Sequence, residues 1–294
     1  MQNPDSDQVQ QGLETQASDP EALISASALL SMYAWLTKAG MLRETCRSLA
    51  GQGSPNNALL LGREAPQVGA VAALSPEDVL TPSPAHYLAC AMKGMHLADI
   101  FSGVRTGDWP KRSFSGNIMP PPEHAAERCT VSIGAALARG VQHPSTVVLV
   151  FVGKLSKGED CSSAIRYAVE HKVPVIFVVE DQRAVAGVER DVKSSTVFGA
   201  PSMNVDADDV LAIHRVAQEA VDRARRGYGP TIVECLRLTS KSDPCSVLRS
   251  QIAKHGLWTA EWEEQLKAEF AAELSAAVRP SPHHRSARAA KRRK

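Results

Sequence analysis

Residues 146–187 read TVVLVFVGKLSKGEDCSSAIRYAVEHKVPVIFVVEDQRAVAG, from Thr146 to Gly187, and their pattern decides the fold. Val147 to Val152 is an unbroken apolar run rich in β-branched residues, the mark of a strand buried on both faces, and Val173 to Val179 repeats it. Between them Asp160 to His171 has helical character, with Ile165, Ala168 and Val169 sharing one face. Strand, helix and strand in that order compose a βαβ unit of a parallel sheet. Ligands of such sheets sit beyond the carboxyl ends of the strands. The loops Gly153 to Glu159 and Glu180 to Gly187 are therefore where chemistry is to be sought.

Composition sets the class around this unit. The chain has 294 residues, of which 44% are hydrophobic and 22% charged, as expected of an ordinary globular protein able to bury a substantial core. No run approaches the roughly 18 apolar residues of a membrane helix. The opening MQNPDSDQVQQGLETQ has neither the basic start nor the apolar core of a signal peptide, which predicts a cytoplasmic protein. Six cysteines form no Cys-x-x-Cys or zinc-like spacing, so reduced structural thiols are expected rather than a disulfide framework.

The net charge of +1 is unevenly placed. Residues 1–21 carry Asp5, Asp7, Glu14, Asp19 and Glu21 with no basic residue, whereas 279–294 carry Arg279, Arg285, Arg288, Lys291, Arg292, Arg293 and Lys294 with no acidic one. Both ends read as disordered tails flanking an α/β domain over 22–278. The basic tail lacks the interleaved aromatics of a nucleic-acid binder, so a solubilising role is the expectation for it.

Helical periodicity recurs over Pro20 to Gly51, with Gly40 and Gly51 as candidate stops, over Leu88 to Phe101, over Val210 to Arg226 and over Trp258 to Val278. Cys129 to Arg139 is a helix rich in small residues, in which Gly134 and the alanines beside it are expected to admit a close neighbour. Asp209 is placed to cap the start of the helix after it, which makes Asp206, Asp208 and Asp209 structural rather than metal-binding.

The motifs along this frame resemble one family, the alpha subunits of the thiamine-diphosphate-dependent 2-oxo acid dehydrogenases of the pyruvate and branched-chain type. The resemblance runs from about Leu29 to Trp258. It is carried by Gly62, Glu64, Ala65, Val68 and Gly69, by Asp78, by Gly134-Ala135-Ala136, by Pro174 to Glu180, and by Gly227-Tyr228-Gly229-Pro230 with Ser242-Asp243-Pro244. It implies a three-layer α/β/α thiamine-diphosphate-binding fold with a parallel sheet, and a beta-subunit-like chain or a homo-oligomer as partner.

The departures from the family pattern fall on its cofactor positions. The metal-binding Asp of the family's Gly-Asp-Gly falls on Gly153, or on Lys154 if the motif is shifted by one. Its Asn-Asn pair and following Tyr become Asp181, Gln182 and Ala184. The Tyr-Arg that grips the diphosphate becomes Pro84-Ala85, and two cofactor-side histidines fall on Pro122 and Thr239. Magnesium needs hard oxygen ligands in near-octahedral geometry, and phosphate is best held by a planar guanidinium. The resemblance therefore implies a non-catalytic alpha-like subunit that has lost thiamine diphosphate and magnesium. Two alternatives stand beside it: an active 2-oxo acid dehydrogenase subunit in which Lys154 replaces the metal, and a binding module for another phosphorylated ligand or an acidic partner.

Overall fold

The computed structural model describes residues 24–50, 64–106, 117–153, 161–181, 195–236 and 243–278. Both termini, including the predicted tails, lie outside the described residues. The apolar runs form the strands they predict. β1 (Val79–Thr81), β2 (Val148–Gly153), β3 (Val175–Asp181), β4 (Ser195–Val197), β5 (Ala200–Asp206) and β6 (Thr231–Leu236) make one sheet in the order β1-β2-β3-β6-β5-β4. Every neighbouring pair is parallel except β4 with β5, which are joined through Phe198 and Gly199. Both of those residues have positive φ, the backbone that a tight two-residue hairpin requires.

Alternation along β2 shows why the whole run is apolar. Leu149 and Phe151 enter one hydrophobic cluster, while Val148, Val150 and Val152 enter the other, on the opposite face. The first cluster is closed by α1 (Ala26–Ala50), α2 (Glu64–Val71), α3 (Tyr87–Met92), α4 (Leu97–Thr106), α7 (Val210–Arg225), α8 (Pro244–Lys254) and α9 (Ala260–Val278). The second is closed by α5 (Ala125–Gln142) and α6 (Ser162–Glu170), whose Ile165 and Ala168 are fully buried. Helices on both faces of a mostly parallel sheet give the three-layer α/β/α architecture.

Three local expectations change. Gly40 does not end α1, which continues through it to Ala50 because Ala39 and Leu42 on either side remain buried. The single helix expected over Leu88 to Phe101 is two, broken at Gly94, whose φ of 92° no continuing helix tolerates. Gly134 is exposed, with no atom within 4 Å of where a Cβ would stand, so the close approach expected there is absent.

The close approach is instead at Gly69, where a Cβ would lie 2.8 Å from both the Val210 carbonyl oxygen and Ile213 Cγ2 of α7. Gly69→Ala is expected to destabilise the chain by about 1–3 kcal/mol through overpacking. Gly134→Ala should raise stability by up to about 1 kcal/mol, since alanine is the better helix former. Urea unfolding of the two variants checks the contrast, and equal midpoints would refute it.

Buried polar side chains tie the layers together at the amino ends of the strands. Asp78, 1% exposed, accepts Val147 N–H on Oδ1 at 3.0 Å and both Ser75 N–H (2.7 Å) and Arg225 Nη2 (2.5 Å) on Oδ2. One carboxylate thereby joins the entry to β1, the entry to β2 and the end of α7. Asp209 caps α7 as expected, accepting from Leu211 N and Ala212 N, and Asp243 caps α8 with Pro244 at its first position.

Candidate cofactor site

The sheet order decides which loops can meet. β1, β2, β3 and β6 are consecutive neighbours and parallel, so Thr81, Gly153, Asp181 and Leu236 end their strands along one edge of the sheet. Pro84 and Ala85 follow β1, Gly153 ends β2 and Asp181 ends β3, while Pro122 lies just before α5. Lys154, Gln182, Ala184 and Thr239 lie outside the described residues, and of Asp181 only the backbone is described. The predicted positions that can be placed are therefore gathered at the carboxyl ends of the strands.

Two polar assemblies occupy this edge. The first joins β1 to β3. His86, fully buried, stacks on Phe151 of β2 with ring centroids 4.0 Å apart and planes 17° apart. Its Nδ1 is 3.2 Å from Ser83 N and 2.6 Å from Ser83 Oγ, and its Nε2 is 2.9 Å from Glu180 Oε2. A backbone N–H only donates, so Nδ1 is the acceptor and the ring proton sits on Nε2, donated to Glu180. Ser83 Oγ also accepts Ala85 N–H at 3.3 Å. The order is hydroxyl, imidazole, carboxylate, but with all three residues buried it is an internal strut of the sheet's edge.

The second assembly joins β2 to the segment before α5. Arg128, 5% exposed, donates from Nε to Phe151 O (3.1 Å) and from Nη2 to Val152 O (2.9 Å). From Nη1 it donates to Pro122 O (2.9 Å) and Glu123 O (2.6 Å). The register of β2 against β3 slips between Phe151 and Gly153, so Val152 is passed over in the ladder. A bulged residue leaves backbone groups in want of partners, and the guanidinium supplies one for this carbonyl.

The residues that can be placed do not fit a magnesium diphosphate. Pro84 and Ala85 have no side-chain donor, and Pro122 and Gly153 have no side-chain ligand. Gly153 has a φ of 78°, and a Cβ built on it would lie 3.9 Å from Arg128 Nη2. An aspartate at 153 would therefore meet a guanidinium.

Neither Arg128 nor His86 stands out in the sequence pattern described above. Arg128 shares a helical face with Ala125, Cys129 and Ser132, all buried, and an arginine on such a stripe was the available signal.

A separate cleft of about 280 Å³ lies between α1, α8 and α9, with Thr37, Cys245 and Asp243 on its walls. Its charged groups are already engaged: Arg43 pairs with Glu64, Lys267 with Glu263, and Asp243 caps α8. Cys245 is half-buried, and burial raises its thiol pKa, which leaves it a poor nucleophile.

Comparison with known proteins places the fold. The family model described as the dehydrogenase E1 component matches residues 41–238, more than half of the chain. The chain belongs to the dehydrogenase E1 component family. Among similar curated relatives, the pyruvate dehydrogenase E1 component subunit alpha of Porphyra purpurea is 31% identical, over 68% of this chain and 66% of the relative. That of Acholeplasma laidlawii is 26% identical, over 73% of this chain and 72% of the relative. The 3-methyl-2-oxobutanoate dehydrogenase subunit alpha of Mycobacterium tuberculosis is 28% identical, over 70% and 65%. This E1-family chain thus spans about two thirds of the length of such alpha subunits. No helix among its described residues is long and apolar enough to cross a membrane.

Proposed function

We propose that this E1-family chain is an alpha-subunit-like protein that does not hold thiamine diphosphate and magnesium and that acts by association, with a beta-subunit-like chain as partner. In a working subunit of this kind the cofactor carries the bond-making chemistry, and the protein supplies metal ligands and a phosphate grip. The observation that carries the reading is Arg128 beside Gly153: a buried guanidinium stands at the strand end where the family's metal-binding carboxylate falls on Gly153 or Lys154. Pro84 and Ala85 support it, since neither donates the paired hydrogen bonds of the family's arginine. Charge-assisted bonds contribute about 1.5–3 kcal/mol each, so losing two or three lowers affinity by several orders of magnitude.

Calorimetric titration of the purified chain with thiamine diphosphate tests this, with and without magnesium, alone and mixed with a co-encoded beta-like chain. No heat of cofactor binding in any mixture, together with a heat of association between the two chains, is the expected outcome. Saturable micromolar binding of the cofactor would overturn the reading.

A further inference from the structure

We propose that Arg128 is a resident cation that orders this edge of the sheet by gathering backbone carbonyls from two segments, the part a bound metal plays in a metal-loaded site. The proposal rests on the metal-free part of the function proposed above and assigns a residue to it. Four backbone oxygens, those of Pro122, Glu123, Phe151 and Val152, converge on one guanidinium from two segments far apart in sequence. Backbone carbonyls are hard oxygen donors of the kind that cations recruit, and such a cage needs a positive centre to offset the mutual repulsion of its dipoles.

The guanidinium suits the task because its charge persists at every accessible pH and its planar donors point in fixed directions. Its place is also specific. Two of the four oxygens belong to the bulge that ends β2, and Gly153, next along, takes a positive φ that leads the chain away beside Nη2. A side chain at 153 would project toward this charge, and the positive φ there favours glycine, so Gly153 leaves the guanidinium its place against the carbonyls. Arg128 is a positioning residue, since it touches no reacting group.

Thermal unfolding of the full chain tests the assignment. The wild type is expected to melt at the same temperature in magnesium chloride as in sodium chloride of equal ionic strength. Arg128→Ala should melt lower by at least about 6 °C, and millimolar guanidinium or magnesium, too dilute to denature, should raise its midpoint saturably while leaving the wild type unmoved. Should the alanine variant fail to fold, Arg128→Lys keeps the charge with fewer directed donors and is expected to melt between the two.

A saturable magnesium-specific rise in the wild type would overturn the proposal. So would an alanine variant that no cation rescues, or a lysine variant as stable as the wild type. Failure here is separable from failure of the functional reading. Magnesium stabilising a chain that binds no thiamine diphosphate removes only the role of Arg128. Thiamine diphosphate binding without magnesium removes only the non-catalytic reading.

Discussion

Glu263→Ala is expected to lower the stability of this chain by about 3–5 kcal/mol, among the largest effects of any single substitution away from the strand ends. Glu263 lies in the first turn of α9 and is 8% exposed. Its Oε2 accepts Tyr33 OH from α1 at 2.6 Å and Trp258 Nε1–H at 2.8 Å, and lies 3.5 Å from Arg249 of α8, while Oε1 accepts from Lys267. Arg249 in turn sits 4.2 Å from the centre of the Trp258 ring. Three helices thus meet on one carboxylate, and its removal strands the buried phenol of Tyr33 and the half-buried indole of Trp258.

The same carboxylate makes stability pH-dependent. Burial pushes its pKa up, but the hydrogen bonds from Lys267, Tyr33 and Trp258 outweigh that and bring it from 4.5 down to about 2. A group whose folded pKa is lowered contributes stability that is complete above its unfolded value and lost as pH falls toward the folded one. Between pH 4.5 and about 2 Glu263 is therefore expected to release on the order of 3 kcal/mol. Urea midpoints across that window measure it. Glu263→Gln should flatten the profile, and a profile as steep as the wild type's would refute the assignment.

His86→Ala carries the second large effect, an expected loss of about 3–5 kcal/mol. The imidazole leaves behind a Phe151 face with no stacking partner, a Ser83 hydroxyl in an apolar setting, and Glu180 deprived of the N–H that offsets its burial. Alanine loses packing as well as polarity, so the decisive measurement is a double-mutant cycle with Glu180→Gln. A coupling of at least about 1 kcal/mol is expected for a direct buried contact. Additive losses would show that the stack on Phe151, and not the bond to Glu180, supports this edge.

The frame of the molecule was legible because burial writes itself locally. Val148 to Val152 and Val175 to Val179 are apolar at every position, and only a strand covered on both faces requires that. Asp209 ahead of Val210 announced a helix start, since the groups it satisfies lie within three residues, whereas the like cap at Asp243 emerged only in the structure. The family motifs added the sheet's place in a known architecture, and the matched family bears that out.

At the site, the residue types at the strand ends are plain from the chain alone: Pro84, Ala85, Pro122 and Gly153 bring no metal ligand or phosphate grip. What stands there instead is fixed by long-range packing. His86 meets Glu180 across 94 positions of chain, and Arg128 meets Phe151 and Val152 across 23 and 24. A periodic pattern reports which side of an element is buried, but it carries no record of the partner a buried polar group finds. That choice depends on how separate elements close in space, because a desolvated donor or acceptor must be satisfied by whatever the packed layers bring within about 3 Å.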